Sequence, residues 1–296
     1  MSSSPSPLKT RTGSFPIGFR QGFSDWQMDL GPLLDWAAEN RFGIIDVKAD
    51  APLSADEIRA RGFQIGSVDL PEWAGMISPD AGQRREAVAR NQEYIERAAK
   101  AGPLNFFTLM LPKKPELSRR ENFGYMVESY GELASTLEAL DSHVVIEGWP
   151  GQGALCCTPE GCRAILQEIS PDLVGLNYDP SHLVRMGIDP IRFLKEFVFA
   201  VHHVHAKDTL LLADTLYEYG NLQPATFGQP HGFGEMCWRY TLPGHGVVPW
   251  QQVFSILSDH GYTGAVCIEL EDENFNGTME GEKEGLQMAG RYLSEV

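Results

Sequence analysis

Four short apolar runs in this sequence each end in a group able to hold a metal ion. Residues 144–146 run into Glu147, 175–178 into Asp179, 201–204 into His205, and 266–268 into Glu269. Singly, a carboxylate after an apolar stretch is usually a helix cap or half of an ion pair. Together, three carboxylates at one place would repel one another and raise their own pKa values unless a cation lay among them. A divalent ion resolves that conflict. Three oxygens and one imidazole form a mostly hard donor set, which favours Mn2+ and also admits Mg2+, Co2+ or Zn2+.

Such an ion has a defined use. Bridging a carbonyl and an adjacent hydroxyl, it polarises the carbonyl and acidifies the neighbouring C–H. A carboxylate can then take that proton, leaving a metal-stabilised enediolate. Reprotonation from the opposite face is epimerisation, and reprotonation at the adjacent carbon is isomerisation. Loss of a β-substituent is a lyase or dehydratase outcome. The expected substrate is a ketose or keto-polyol.

Positioning these groups requires a scaffold, and the pattern supplies one. Strand-like runs occur at 16–19, 44–49, 64–70, 106–111, 144–149, 175–179, 201–205 and 265–270. Helical patterns fall between them, at 30–40, 54–61, 80–101, 119–140, 159–169, 190–197, 249–260 and 280–294. Thr158-Pro159 and Asp189-Pro190 read as a cap followed by proline at the first helical position, and Gly261 as a helix stop. Eight of each in alternation predict an α/β fold of one domain, a (β/α)8 barrel. A doubly wound sheet would carry a Gly-rich fingerprint after its first strand, and none is present. Barrels of this kind place functional groups at the C-terminal ends of strands, where all four candidate ligands stand. The expected organisation is a disordered segment over 1–13 and the barrel over 14–296. A long loop at about 210–249, rich in Gly, Pro and aromatics, reads as a lid or binding loop.

Strand alternation sorts the neighbours of these groups. His203 shares the inward face with His205, while His202 points to the helical layer. Trp149 lies two residues beyond Glu147 on the same face, where an aromatic wall suits a sugar. His245, in the "PGHG" stretch, is a candidate pocket contact. Asp46, Lys48 and Asp69 near early strand ends are further substrate-contact candidates.

Composition narrows the partners. The 296 residues carry 40 acidic and 24 basic side chains, a net charge of −16, with no basic cluster interleaved with aromatics. A phosphate backbone is therefore not an expected partner. No run approaches the ~20 apolar residues of a membrane span. Five cysteines without a CxxC pattern read as reduced thiols, and the Ser/Pro-rich start lacks a signal peptide's apolar core. The expected location is the cytoplasm, and a homo-oligomer is left open.

The segments "VVIEGWPG", "LNYDPSHLVRMGIDP", "HHVHAKD", "LPGHGVVPW" and "GYTGAVCIELED" resemble those of the xylose isomerase-like sugar isomerase/epimerase superfamily. That group includes ketose 3-epimerases, hydroxypyruvate isomerase, inosose dehydratase and endonuclease IV nucleases. The resemblance implies Glu147, Asp179, His205 and Glu269 as metal ligands. It also implies Glu147 and Glu269 as an acid/base pair and His182 as a substrate contact. Where the epimerases place an arginine soon after the metal-binding histidine, Lys207 and Asp208 stand here. Lys207 thus becomes a candidate substrate contact, and Arg239 a candidate for the missing cation. The implied activity is a metal-dependent sugar isomerase/epimerase acting on a small carbohydrate. An inosose dehydratase-like or 3-keto-glycoside-cleaving lyase is the second reading. The nucleases add histidines from early strands, and no histidine precedes His143.

Overall fold

The computed structural model describes residues 6–49 and 55–296. Its strands are β1 (Ile17–Arg20), β2 (Ile44–Val47), β3 (Gln64–Asp69), β4 (Asn105–Leu109), β5 (His143–Glu147), β6 (Val174–Tyr178), β7 (Val201–Ala206), β8 (Asp208–Leu211), β9 (Trp238–Thr241) and β10 (Val266–Ile268). Eight of them close into a parallel barrel, in the order β1-β10-β7-β6-β5-β4-β3-β2. The expected (β/α)8 architecture is the one observed. Its strands are covered on both faces, and so they read as unbroken apolar runs. β2 and β6, for example, are buried at every position.

Two compact units are distinguished within the chain. Among the described residues, one comprises 6–45, 179–195 and 205–296, and the other 46–49, 55–178 and 196–204.

In the second unit, β4 pairs with β5 from Asn105↔His143 to Leu109↔Glu147, and β5 with β6 from Val144↔Val174 to Glu147↔Asn177. Pairing of β6 with β7 then skips a residue. Leu176 faces Val201 and Asn177 faces His203, which leaves His202 as the extra residue of a bulge. Gly175 permits this close approach, because a Cβ there would lie 2.2 Å from His202 Cδ2.

In the first unit, β1 pairs with β10 from Ile17↔Val266 to Phe19↔Ile268. Residues 6–13, expected within a disordered segment, are instead held in place. Leu8 N donates to Arg41 O at 2.8 Å, Thr10 N to Phe15 O at 2.9 Å and Thr12 N to Val296 O at 2.9 Å. Ser/Pro-rich composition did not reveal these backbone partners. Residues 1–5 of that segment lie outside the described residues, as does Ser54 at the expected start of the second helix.

The segment expected as a long loop at about 210–249 holds regular elements: β8 and β9 form an antiparallel hairpin registered from Asp208↔Thr241 to Leu211↔Trp238, and between them lies a helix, Ala213–Tyr219, with no buried residue. Other departures are short helices at Asp25–Met28, Trp73–Met76 and Pro180–Arg185. Elements of one turn carry too few residues for a period to show. The expected helix at 119–140 is two, Arg119–Gly131 and Ala134–Ala139. The Thr158 and Asp189 caps and the left-handed Gly261 (φ 74°) are as expected. Among the described residues, no helix is long and apolar enough to cross a membrane.

Candidate metal centre

Asp179 follows β6 directly and caps the helix Pro180–Arg185. Its Oδ1 accepts from Ser181 N at 2.9 Å and Ser181 Oγ at 2.6 Å, while Pro180 at the first helical position has no N–H to satisfy. One oxygen is thereby spent on the fold. The other, Oδ2, is buried and accepts no hydrogen bond, with Lys207 Nζ and His182 Nε2 each 3.3 Å away. His205, on β7, is fully buried, and its Nδ1 lies 3.7 Å from Glu269 Oε2. Glu269 follows β10. Its Oε1 faces Arg20 Nε at 3.3 Å, and its Oε2 accepts from Lys207 Nζ at 2.5 Å. Asp179, His205 and Glu269 each offer a ligand atom within 4.8 Å of the others.

Lys207 is 1% exposed, and its ammonium also donates to Glu271 Oε2 at 3.0 Å and sits 4.5 Å from the centre of the Tyr240 ring. Burial pushes the Glu271 carboxyl above its ordinary range, against the pull of Lys207. Asp179, Glu269 and Glu271 together outnumber Lys207 and Arg20, so the cluster still lacks positive charge. Buried charge left uncompensated is costly. The donor types, the available Asp179 Oδ2 and this charge balance all fit a divalent cation.

The hairpin brings in a group that sequence reasoning missed. Tyr240 on β9 is buried, with its Oη 2.6 Å from His182 Nδ1 and 2.7 Å from Arg185 Nη1. Burial pushes the phenol well above its ordinary pKa. The only signal for it was alternation in "WRYT", which puts Trp238 and Tyr240 on one face.

Asp208, next to Lys207, has a different task. Fully buried, it accepts from Thr209 N at 2.8 Å, Val248 N at 2.9 Å, Gly244 N at 3.1 Å and Trp250 Nε1 at 3.1 Å. Desolvation raises its pKa despite these four donors. The "LPGHGVVPW" segment is thus a turn wound around one carboxylate. His245 is exposed on that turn. Arg239 is paired with Asp272 at 3.0 Å and Glu273 at 3.3 Å. The structure therefore gathers His182 and Lys207 about Asp179 and Glu269, while Arg239 is turned to Asp272 and Glu273 and His245 is exposed.

In the second unit, Glu147 ends β5 and is 6% exposed, and its Oε2 accepts from Asn177 Nδ2 at 3.0 Å. Asn177, its register partner on β6, was not anticipated. Trp149 is partly exposed, with its ring laid over Gly151. Asp46 and His203 form a fully buried pair at 2.9 Å. The bulged His202 bonds Pro171 O at 2.7 Å and stacks on His143.

A closed parallel barrel with acidic and imidazole groups at its strand ends defines a class. The chain belongs to the xylose isomerase-like TIM barrel family, which it matches over residues 32–292. It is similar to protein YfiH of Bacillus subtilis (34% identical over 131 residues, 44% of this chain and 40% of that one). It is similar also to inosose dehydratase of Clostridium tetani (27% identical over 166 residues, 56% and 52% of the two chains). The chain spans about half the length of these curated relatives. Among solved structures, a D-psicose 3-epimerase superposes with a TM-score of 0.67 at 16% identity, covering 94% of this chain and 97% of that one. That likeness is one of fold.

Proposed function

We propose that the protein is a divalent-metal-dependent sugar isomerase/epimerase that moves a proton beside the carbonyl of a ketose or keto-polyol. The observation that carries this reading is the largely buried Asp179–His205–Glu269 set, which together with Glu271 holds more acidic groups than Lys207 and Arg20 can pair. Glu147 is proposed as the fourth ligand. It ends β5, the strand next to β6 in the barrel, as the sequence resemblance implies for a ligand. Mn2+ suits this hard, oxygen-rich set.

When bound, the ion would polarise the carbonyl and acidify the adjacent C–H. Glu269 takes the proton at a carboxylate oxygen, with Lys207 Nζ and Arg20 Nε beside it. Glu147, oriented by Asn177 Nδ2, returns a proton from the other side. Lys207 Nζ and His182 Nε2 are placed to donate to substrate oxygens. Dehydration is a second reading. It is supported by the similarity to inosose dehydratase and by Lys207 Nζ lying 2.5 Å from Glu269, where an ammonium can hand a proton to a departing hydroxyl.

Elemental analysis of purified protein is expected to find close to one divalent ion per chain. Asp179→Asn and Glu147→Gln should each weaken its retention at least about 100-fold, exceeding the usual effect of losing an outer-shell partner. Incubation in D2O with ketoses and inososes separates the two reactions. Deuterium on carbon without loss of water indicates isomerase or epimerase, and loss of water indicates dehydratase. Absence of exchange with every one of these compounds would sink the proposal.

A further inference from the structure

Beside Glu269 lies a cavity of about 340 Å³ whose walls include Glu271, Arg20, Gln21, Phe23 and Phe233. That volume falls at the lower end for small-molecule pockets, ~300 Å³ and upward. Glu269 is the one candidate ligand among its described lining residues, so a sugar held at the metal centre would enter this space only through a substituent.

The walls are built rather than accidental. On one side, Gln27 holds the loop after β1. It accepts from Gln21 Nε2 through its backbone O at 2.8 Å and from Gly22 N through its side chain at 2.6 Å. Glu282, nearly buried, in turn accepts from Gln27 Nε2, Ser24 Oγ and Trp26 Nε1 at 2.6–2.9 Å. On the other side, the hairpin excursion presents Phe233 with φ 56°, a left-handed conformation unusual for an aromatic residue. Its neighbours pin it there. Gly232 N donates to Glu273 Oε2 at 2.9 Å, and Tyr240 N donates to Phe233 O at 2.9 Å. The rings of Phe23 and Phe233 are 84% and 42% exposed, two apolar faces left in water beside one cavity.

Charge decides what fits. Glu269, Glu271 and Glu282 all line the cavity, and Arg20 is already paired with Glu269. A phosphate group would meet net repulsion there. An uncharged ring bearing hydroxyls would not. Its apolar C–H face would cover the phenylalanines, and its hydroxyls would meet the carboxylates and Gln21. The geometry points to a second sugar subsite: the enzyme takes a glycosylated keto-sugar, with the attached neutral ring in this cavity, in preference to a sugar phosphate. This inference rests on the metal-centre reading for the position of the reacting sugar.

Calorimetric titration of the Mn2+-loaded protein tests it, using D-fructose, D-fructose 6-phosphate and three glucosyl- or galactosyl-fructoses (turanose, lactulose and isomaltulose). At least one disaccharide is expected to bind tenfold or more tightly than fructose, and fructose 6-phosphate more weakly than fructose. Phe233→Ala should reduce the disaccharide advantage below threefold. Phe23→Ala, at a largely exposed position, should do the same without burdening the fold. The subsite is overturned if no disaccharide binds more tightly than fructose, if the phosphate binds best, or if both variants leave the order unchanged. Deuterium exchange on the same sugars reports separately on the reaction. A protein that ranks them as expected but exchanges none keeps the subsite and loses the proposed chemistry.

Discussion

At Asp179 the two oxygens of one carboxylate have separate duties, capping a helix with Oδ1 and facing Lys207 and His182 with Oδ2. That helix carries His182, whose protonation pattern is fixed from the hairpin. Arg185 donates to Tyr240 Oη, so the phenol proton is placed for His182 Nδ1, while Nε2 lies 3.3 Å from Asp179 Oδ2. 15N-histidine spectra should therefore show His182 as the Nε2–H tautomer. Tyr240→Phe should convert it to Nδ1–H or an exchanging mixture and slow proton exchange on substrate about 10–100-fold. An unchanged tautomer in that variant would show that the phenol does not set it. Residues of this kind mark the boundary of what sequence discloses. The proposed ligands Glu147, Asp179, His205 and Glu269 stand out in sequence because each ends an apolar strand. Tyr240 and Glu271 were not, since their roles come from a hairpin fold-back and a loop conformation that no local period encodes.

Among the elements, the barrel strands and the longer helices were readable because burial imposes a repeating pattern over enough residues. What escaped was held by single side chains. Glu282, on the helix Met279–Glu295, gathers Ser24, Trp26 and Gln27 and so fixes the loop after β1. Burial alone would raise its pKa, but the hydrogen bonds from Ser24, Gln27 and Trp26 lower it below 4.5 overall. A carboxyl depressed in the folded state contributes stability above its unfolded pKa and loses it as pH falls through the folded value. Glu282→Gln should cost about 2 kcal/mol at neutral pH, because charged acceptors are replaced and a donor is misplaced. In urea titrations the gap between variant and parent should narrow steadily below roughly pH 4.5. A gap independent of pH would assign the loss to packing. Asp208 plays the same organising part for the 242–250 turn, which in sequence looked like a substrate loop.

For the molecule as a whole, thiol chemistry is the simplest global check. All five cysteines are free and buried. Burial pushes the Cys162 thiol up to about 12 and Cys156 well above its ordinary value, so neither forms the reactive thiolate at neutral pH. An aromatic disulfide reagent is expected to modify none of them in the native protein and all five after denaturation. Fast labelling of the folded chain would reveal an opening motion that the packing does not suggest. The excursion between β8 and β9 is the contrasting region, with Tyr217, Leu222 and Phe227 each about nine-tenths exposed. Because Leu211 and Trp238 are register partners, the chain leaves and re-enters the hairpin at neighbouring points. Residues 212–237 therefore behave as a detachable cassette, since a tight two-residue turn is geometrically sufficient to join the same strand ends. Phe233 travels with that cassette, while Lys207, between β7 and β8, and Tyr240, on β9, stay behind. Lineages or designers can thus exchange one wall of the pocket, and with it the range of sugars the proposed subsite would take, without touching the proposed metal centre.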